Sequence, residues 1–92
     1  HGGPYHSQSI DSYFFHMPGV WVAYPSNAAD AKGLLKAACR MDDPVMIFEH
    51  KGLYRQGYAS SPEPDNNYIL PFGKAKLIQD GDELTIVTWG AM

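Results

Sequence analysis

The 92-residue chain carries seven Lys and Arg against ten Asp and Glu, and shows no basic cluster able to track a phosphate backbone, so nucleic acid is not an expected partner. Apolar residues make up 45% of the chain, within the globular range, and the longest apolar runs fall far short of the roughly 20 residues of a membrane helix, so no membrane span is expected. Cys39 is the only cysteine, which excludes an internal disulfide and suits a reducing, cytoplasmic compartment.

One domain at most fits this length. The chain opens on His1 rather than Met, and its last ten residues read as a strand with no partner, so it reads as a piece cut at both ends. Gly2, Gly3 and Pro4 form a loop, after which Ser7 or Ser9 caps a helix beginning near Ser9, with Ile10, Tyr13, Phe14 and Met17 at helical spacing. Pro18-Gly19 stops it by removing a donor and supplying a permissive backbone.

Val20 to Tyr24 is β-branched and aromatic, and predicts a short strand buried on both faces. Ser26 or Asn27 then caps a second helix running to about Arg40, with Asp30 and Arg40 complementing its dipole. Its stripe of Ala28, Ala31, Leu34, Leu35 and Ala38 is expected to lie against a sheet. Asp42-Asp43-Pro44 ends that helix, and Val45 to Phe48 is a second apolar run of strand length. The order helix, strand, helix, strand predicts an α/β fold with a parallel sheet and a right-handed crossover.

From Gly52 to Phe72 the pattern dissolves into Gly, Pro, Ser, Asn and Asp, the composition of a linker or long surface connection, which puts a domain boundary there. Lys74 to Ile78 and Leu84 to Trp89, joined across Gln79-Asp80-Gly81-Asp82, read as a hairpin or the entry to a new sheet.

Few side chains point to chemistry. The spacing of His1, His6, His16 and His50 matches no HxxxH or paired CxxC zinc site, and Cys39 has only Arg40 beside it to favour a thiolate. His6 and Ser7 are too close in sequence to show a base and nucleophile, and Gly2-Gly3 lacks the rest of a phosphate-binding glycine motif. His6 follows a Gly/Pro loop and precedes a helix start, a setting that fits either an active-site loop or a histidine satisfying loop hydrogen bonds.

Tyr5-His6-Ser7-Gln8-Ser9, Phe15-His16-Met17-Pro18-Gly19-Val20, Pro25-Ser26-Asn27, Asp30-Ala31-Lys32-Gly33-Leu34-Leu35, Asp43-Pro44-Val45 and Phe48-Glu49-His50-Lys51 together resemble one family, in the correct order. So do Ile69-Leu70-Pro71-Phe72-Gly73-Lys74-Ala75 and Leu84-Thr85-Ile86-Val87-Thr88-Trp89-Gly90. They are similar to the beta subunits of thiamine-diphosphate-dependent 2-oxoacid dehydrogenases.

That resemblance implies that residues 1–51 are the second half of a transketolase-like pyrimidine-binding domain. Residues 52–72 would be a linker, and residues 73–92 the start of the C-terminal transketolase-like domain. The glutamate that contacts the cofactor's aminopyrimidine, and the main residues binding thiamine diphosphate with Mg2+, would then lie outside this chain, which alone is expected to be inactive. His6 inherits a catalytic position near the reacting carbons at an alpha–beta interface, where imidazole can take or give a proton.

Ala38, Met41 and Asp43 inherit backbone-carbonyl positions of a structural K+ site; relatives often have Asp at the place of Met41 and Asn at that of Asp43. Ser9, Lys51, Leu53, Tyr54 and Arg55 resemble branched-chain (2-oxoisovalerate) enzymes more than pyruvate enzymes, whereas His50 departs from the proline usual in the branched-chain pattern. The implied partners are an alpha subunit or fused alpha region, the lipoyl-acyltransferase core, and further copies of the chain as a homo-oligomer. The implied location is the bacterial cytoplasm or the mitochondrial matrix. A non-catalytic interaction domain of the same fold is the alternative.

Overall fold

The computed structural model describes residues 2–92, so His1 and any reading of it lie outside the described residues. In chain order it contains α1 (Asp11–Phe15), β1 (Trp21–Ala23), α2 (Ala28–Ala38) and β2 (Val45–Ile47), followed by 3-10 turns at Lys51–Leu53 and Gly57–Ala59. The strands pair in parallel, with Trp21 opposite Val45 and Ala23 opposite Ile47. α2 is the crossover between them, as the alternation of elements predicts.

α1 is shorter than its periodicity suggests and starts two residues later. Neither serine caps it: Ile10 occupies the N-cap without a side-chain bond. Ser9 Oγ instead donates to Asp11 Oδ1 (2.7 Å), and Ser7 Oγ accepts from the Gly2 N–H (3.2 Å). The Ser9 bond stabilises the ionised carboxylate and draws the Asp11 pKa below its ordinary value. Gly19, at φ +80°, makes the turn into β1. The strand is not fully buried: Trp21 stays exposed and Val22 is half-buried, which leaves Ala23 as its one buried position.

α2 begins as the sequence indicates. Of the two candidates Asn27 is the cap, its Oδ1 accepting the Asp30 N–H (2.9 Å), while its Nδ2 donates to Asp30 Oδ2 (2.8 Å). The predicted stripe is displaced around the helix: Gly33 and Ala37 are the buried positions, and Leu35 is 56% exposed. The cause is what covers the helix.

Residues 61–70 run along α2 as a strap. Ser61 Oγ accepts the Ala29 N–H (2.7 Å), and Lys32 Nζ donates to the Pro64 carbonyl (2.8 Å) and to Glu63 Oε1 (2.9 Å). Lys36 Nζ donates to the Asn66 carbonyl. Gly33 admits the strap, because a Cβ there would stand 2.7 Å from Tyr68 Cε1 and 2.9 Å from Leu70 Cβ. Lys32 holds the Glu63 carboxyl below its ordinary range, so this contact's stabilisation is present above the usual glutamate pKa and is lost as pH falls through the lowered value.

Of the two readings of residues 74–89, the hairpin does not form, and no strand is present to enter a new sheet. Leu77 and Ile78 are 76% and 80% exposed. Two short strands gain little from pairing unless a third element covers their apolar face, and none does so among the described residues. The chain nevertheless returns to β1: the Gly90 N–H donates to the Tyr24 carbonyl (3.2 Å), and Trp89 meets Phe15 edge-on at 6.2 Å.

Small side chains dominate the interior, the buried apolar residues being Ala23, Ala37 and Ala59. Aromatic rings join the elements around them. Phe48 packs at 5.3 Å from Phe14 and 5.8 Å from Tyr24, linking α1, β1 and the end of β2.

Replacing Gly33 by Ala gains about 1 kcal/mol of helix propensity but overpacks the strap by roughly 1–3 kcal/mol. Gly33→Ala is therefore expected to lower stability in chemical denaturation and to expose the 61–70 segment to proteolysis. A variant as stable and as protease-resistant as the parent would contradict this packing.

Candidate functional site

Parallel strands give the sheet two unlike edges, and the sequence-predicted site residues fall at different places around it. His6 lies on the exposed loop that precedes α1, shaped by two glycines. Gly3, at φ +65°, makes a turn closed by the His6 N–H donating to the Gly3 carbonyl (3.3 Å). A Cβ on Gly2 would sit 2.5 Å from His6 Cβ. Tyr5 beside it is 88% exposed, so this loop presents its side chains outward.

Ala38, Met41 and Asp43 lie at the amino edge, where α2 ends and the chain turns into β2. The Ala38 carbonyl accepts the Met41 N–H (3.1 Å), and Asp43 Oδ2 accepts from Trp21 Nε1 (3.0 Å), which ties the turn to the start of β1. Carbonyls at a helix C-terminus are hard oxygen donors with partial negative charge, suited to an alkali cation. Three such oxygens, one already hydrogen-bonded, are too few to hold a cation unaided. Among the described residues no three His, Cys, Asp or Glu side chains converge as a metal site.

The carboxyl edge carries a further feature. A cavity of about 470 Å3 opens between the chain leaving β1 at Pro25, the first turn of α2 at Ala28, and the chain leaving β2 at Glu49 and His50. Leu53, Tyr54 and Arg55 form its far wall. Neither His6 nor the Ala38–Asp43 turn lines it. The available signal was positional: in open parallel sheets ligands bind beyond the carboxyl ends of the strands, and Glu49-His50 directly follow the apolar run of β2.

Local bonds fix these walls. His50 Nδ1 accepts the Gly52 N–H (3.1 Å) and its ring stacks on Tyr24 at 6.2 Å. A Cβ on Gly52 would meet that ring at 2.9 Å. Tyr54 donates its O–H to Glu49 Oε2 (2.5 Å). That bond, with the adjacent negative charge, raises the Tyr54 pKa above the ordinary phenol value, because ionisation would put two anions in contact. Arg55 holds a left-handed backbone at φ +67°. In Glu49→Gln the Tyr54 ring should titrate nearer the ordinary tyrosine range, read from its ring-carbon shifts against pH; an unchanged midpoint would show that Glu49 does not hold the phenol.

Among known proteins, residues 1–56 match the transketolase, pyrimidine binding domain family. The chain is 48% identical over 90 residues to 2-oxoisovalerate dehydrogenase subunit beta of Bacillus subtilis (strain 168), covering 98% of this chain and 27% of that protein. It is 50% identical over 91 residues to the mitochondrial 2-oxoisovalerate dehydrogenase subunit beta of Dictyostelium discoideum, covering 99% and 24%. It is 45% identical over 84 residues to the mitochondrial pyruvate dehydrogenase E1 component subunit beta of Ascaris suum, covering 90% and 23%. The chain thus spans about a quarter of the length of these relatives. No solved structure matches. With more than half of its length matched, the chain belongs to the transketolase pyrimidine-binding domain family.

Proposed function

We propose that this chain is part of the beta subunit of a 2-oxoacid dehydrogenase, the component that decarboxylates a 2-oxoacid and passes the acyl group to a lipoyl-acyltransferase. The observation that carries the reading is identity of 45–50% along nearly the whole chain to beta subunits of this class. A branched-chain substrate of the 2-oxoisovalerate type is favoured by the Lys51, Leu53, Tyr54 and Arg55 pattern. The pyruvate type is the second reading, supported by the Ascaris suum relative.

In this reading residues 1–51 contribute the second half of the pyrimidine-binding domain, 52–72 connect, and 73–92 begin the next domain. His6 is the residue we assign to the chemistry. Its outward presentation on the Gly2-Gly3 loop suits a side chain that completes a site shared with another subunit. The imidazole would hold or move a proton beside the reacting carbons.

Thiamine diphosphate with Mg2+, anchored by residues elsewhere, would supply the carbanion chemistry. The carbonyls of Ala38, Met41 and Asp43 would contribute to a K+ site completed by other residues. The alpha subunit, the lipoyl-acyltransferase core and further copies of the chain are the proposed partners. The bacterial cytoplasm or the mitochondrial matrix is the proposed location, in keeping with bacterial and mitochondrial relatives.

The test uses the full subunit reconstituted with its alpha partner. His6→Ala should reduce acylation of a lipoyl domain by about 100-fold or more, the scale of a general acid–base residue, with assembly and thermal stability retained. Turnover at the parental rate would remove His6 from the mechanism. Parental and variant enzyme alike failing to act on any 2-oxoacid would support the non-catalytic domain instead.

A further inference from the structure

Residues 2–9, the loop that carries His6, take no support from the interior, since all of them are exposed. Among the described residues their hydrogen bonds stay within the loop, at Gly2–Ser7 and Gly3–His6, with one exception: Ser9 Oγ donates to Asp11 Oδ1 at the start of α1. The place of the loop is therefore set by the place of α1. That helix has five residues, none of them buried, and no side chain caps its N-terminus. So short a helix depends on what packs against it.

Two aromatic contacts hold α1. Phe14 packs on Phe48 at 5.3 Å, and Phe15 meets the edge of Trp89 at 6.2 Å. Successive helical side chains stand about 100° apart around the axis, so either contact alone leaves α1 free to roll and the two together fix its rotation. Asp11 lies four residues before Phe15 and shares its face of the helix. Trp89 therefore stands on the face that carries the Asp11 carboxylate, whose pKa is lowered chiefly by the Ser9 bond and further by the Trp89 side chain. The loop's tie to α1 and the outer ring contact of α1 converge on one indole.

Trp89 is itself fixed from the sheet. The Gly90 N–H donates to the Tyr24 carbonyl (3.2 Å), and Gly90 is buried against the Tyr24 ring. Its φ of +63° turns the chain so that the Met92 N–H reaches back to the Trp89 carbonyl (3.3 Å). Leu77, Ile78, Leu84 and Ile86 before this turn are at least 75% exposed, whereas Trp89 is 48% exposed, so it is at Trp89-Gly90 that this segment docks.

We infer that Trp89 is a positioning residue: by clamping the Asp11–Phe15 face of α1 it sets the orientation of that helix and, through it, of the His6 loop. The clamp follows from the packing, and its consequence for turnover rests on the role proposed above for His6.

The test uses the full subunit assembled with its alpha partner. Trp89→Ala and, from the other side of the contact, Phe15→Leu should each speed deuterium exchange of residues 2–15 about tenfold while leaving exchange in α2 unchanged. Each should lower kcat about tenfold with KM for the 2-oxoacid held within about twofold, because a misplacement of about 1 Å costs up to roughly 100-fold. Trp89→Phe, which keeps a ring against Phe15, should restore most of the rate. In a His6→Ala background Trp89→Ala should cost nothing further, since the group it positions is gone. Unchanged exchange of residues 2–15 in both variants would overturn the clamp, and a loss from Trp89→Ala that adds in full to that from His6→Ala would overturn its positioning role. Faster exchange in a subunit whose His6→Ala variant turns over at the parental rate would remove His6 from the chemistry and leave the clamp standing, so the two failures are told apart.

Discussion

Everything in this fold depends on the close approach of residues 61–70 to α2 at Gly33. Among the described residues the buried apolar side chains are alanines, so the sheet and helix gain little from a core of large side chains. What holds α2 is the close approach of the Tyr68 ring and Leu70 to the bare backbone of Gly33, which a single Cβ would block, secured by Lys32 and Lys36 reaching over to strap carbonyls. Charge-assisted bonds to carbonyls suit this place, because the irregular strap has no ladder to satisfy its own acceptors. The same strap follows directly on Ala59 and Ser60 in the cavity wall, so packing on one face of α2 sets the shape of the space at its N-terminus.

Parallel pairing sorts the remaining chemistry. At the amino edge the helix-end carbonyls of Ala38 to Asp43 are tied to the start of β1 through Trp21. At the carboxyl edge Glu49, His50 and Arg55 are delivered to one cavity by the chain leaving β2. His6 belongs to neither edge. In the proposed reading its outward loop suits a side chain that completes a site between subunits, the other half of which comes from elsewhere.

Much of this was legible in the residues. The Gly19 turn, the Asn27 cap, the two apolar runs and their parallel pairing follow from local chemistry that the structure reproduces. Where structure and sequence differ, one recurring reason is that periodicity reports a face without naming its cover. α2 was expected to bury Leu35 against a sheet, yet the strap lies over Gly33 and leaves Leu35 outside. Ser9 looked like a cap but found Asp11 first, because a carboxylate two residues away competes with backbone N–H groups. Residues 74–89 carry strand-like composition without forming a ladder, since pairing depends on neighbours that composition cannot supply. The cavity residues stand in separate segments of the sequence, and topology rather than sequence distance gathers them.

The central claim is that the His6 loop faces another subunit and completes a shared site. A photo-crosslinking amino acid at Tyr5, next to His6 and fully outward, placed in the full-length subunit assembled with its alpha partner, tests it most directly. The account predicts crosslinks to the alpha chain that disappear when the alpha chain is left out. Crosslinks confined to the beta chain, with the assembly intact, would contradict it.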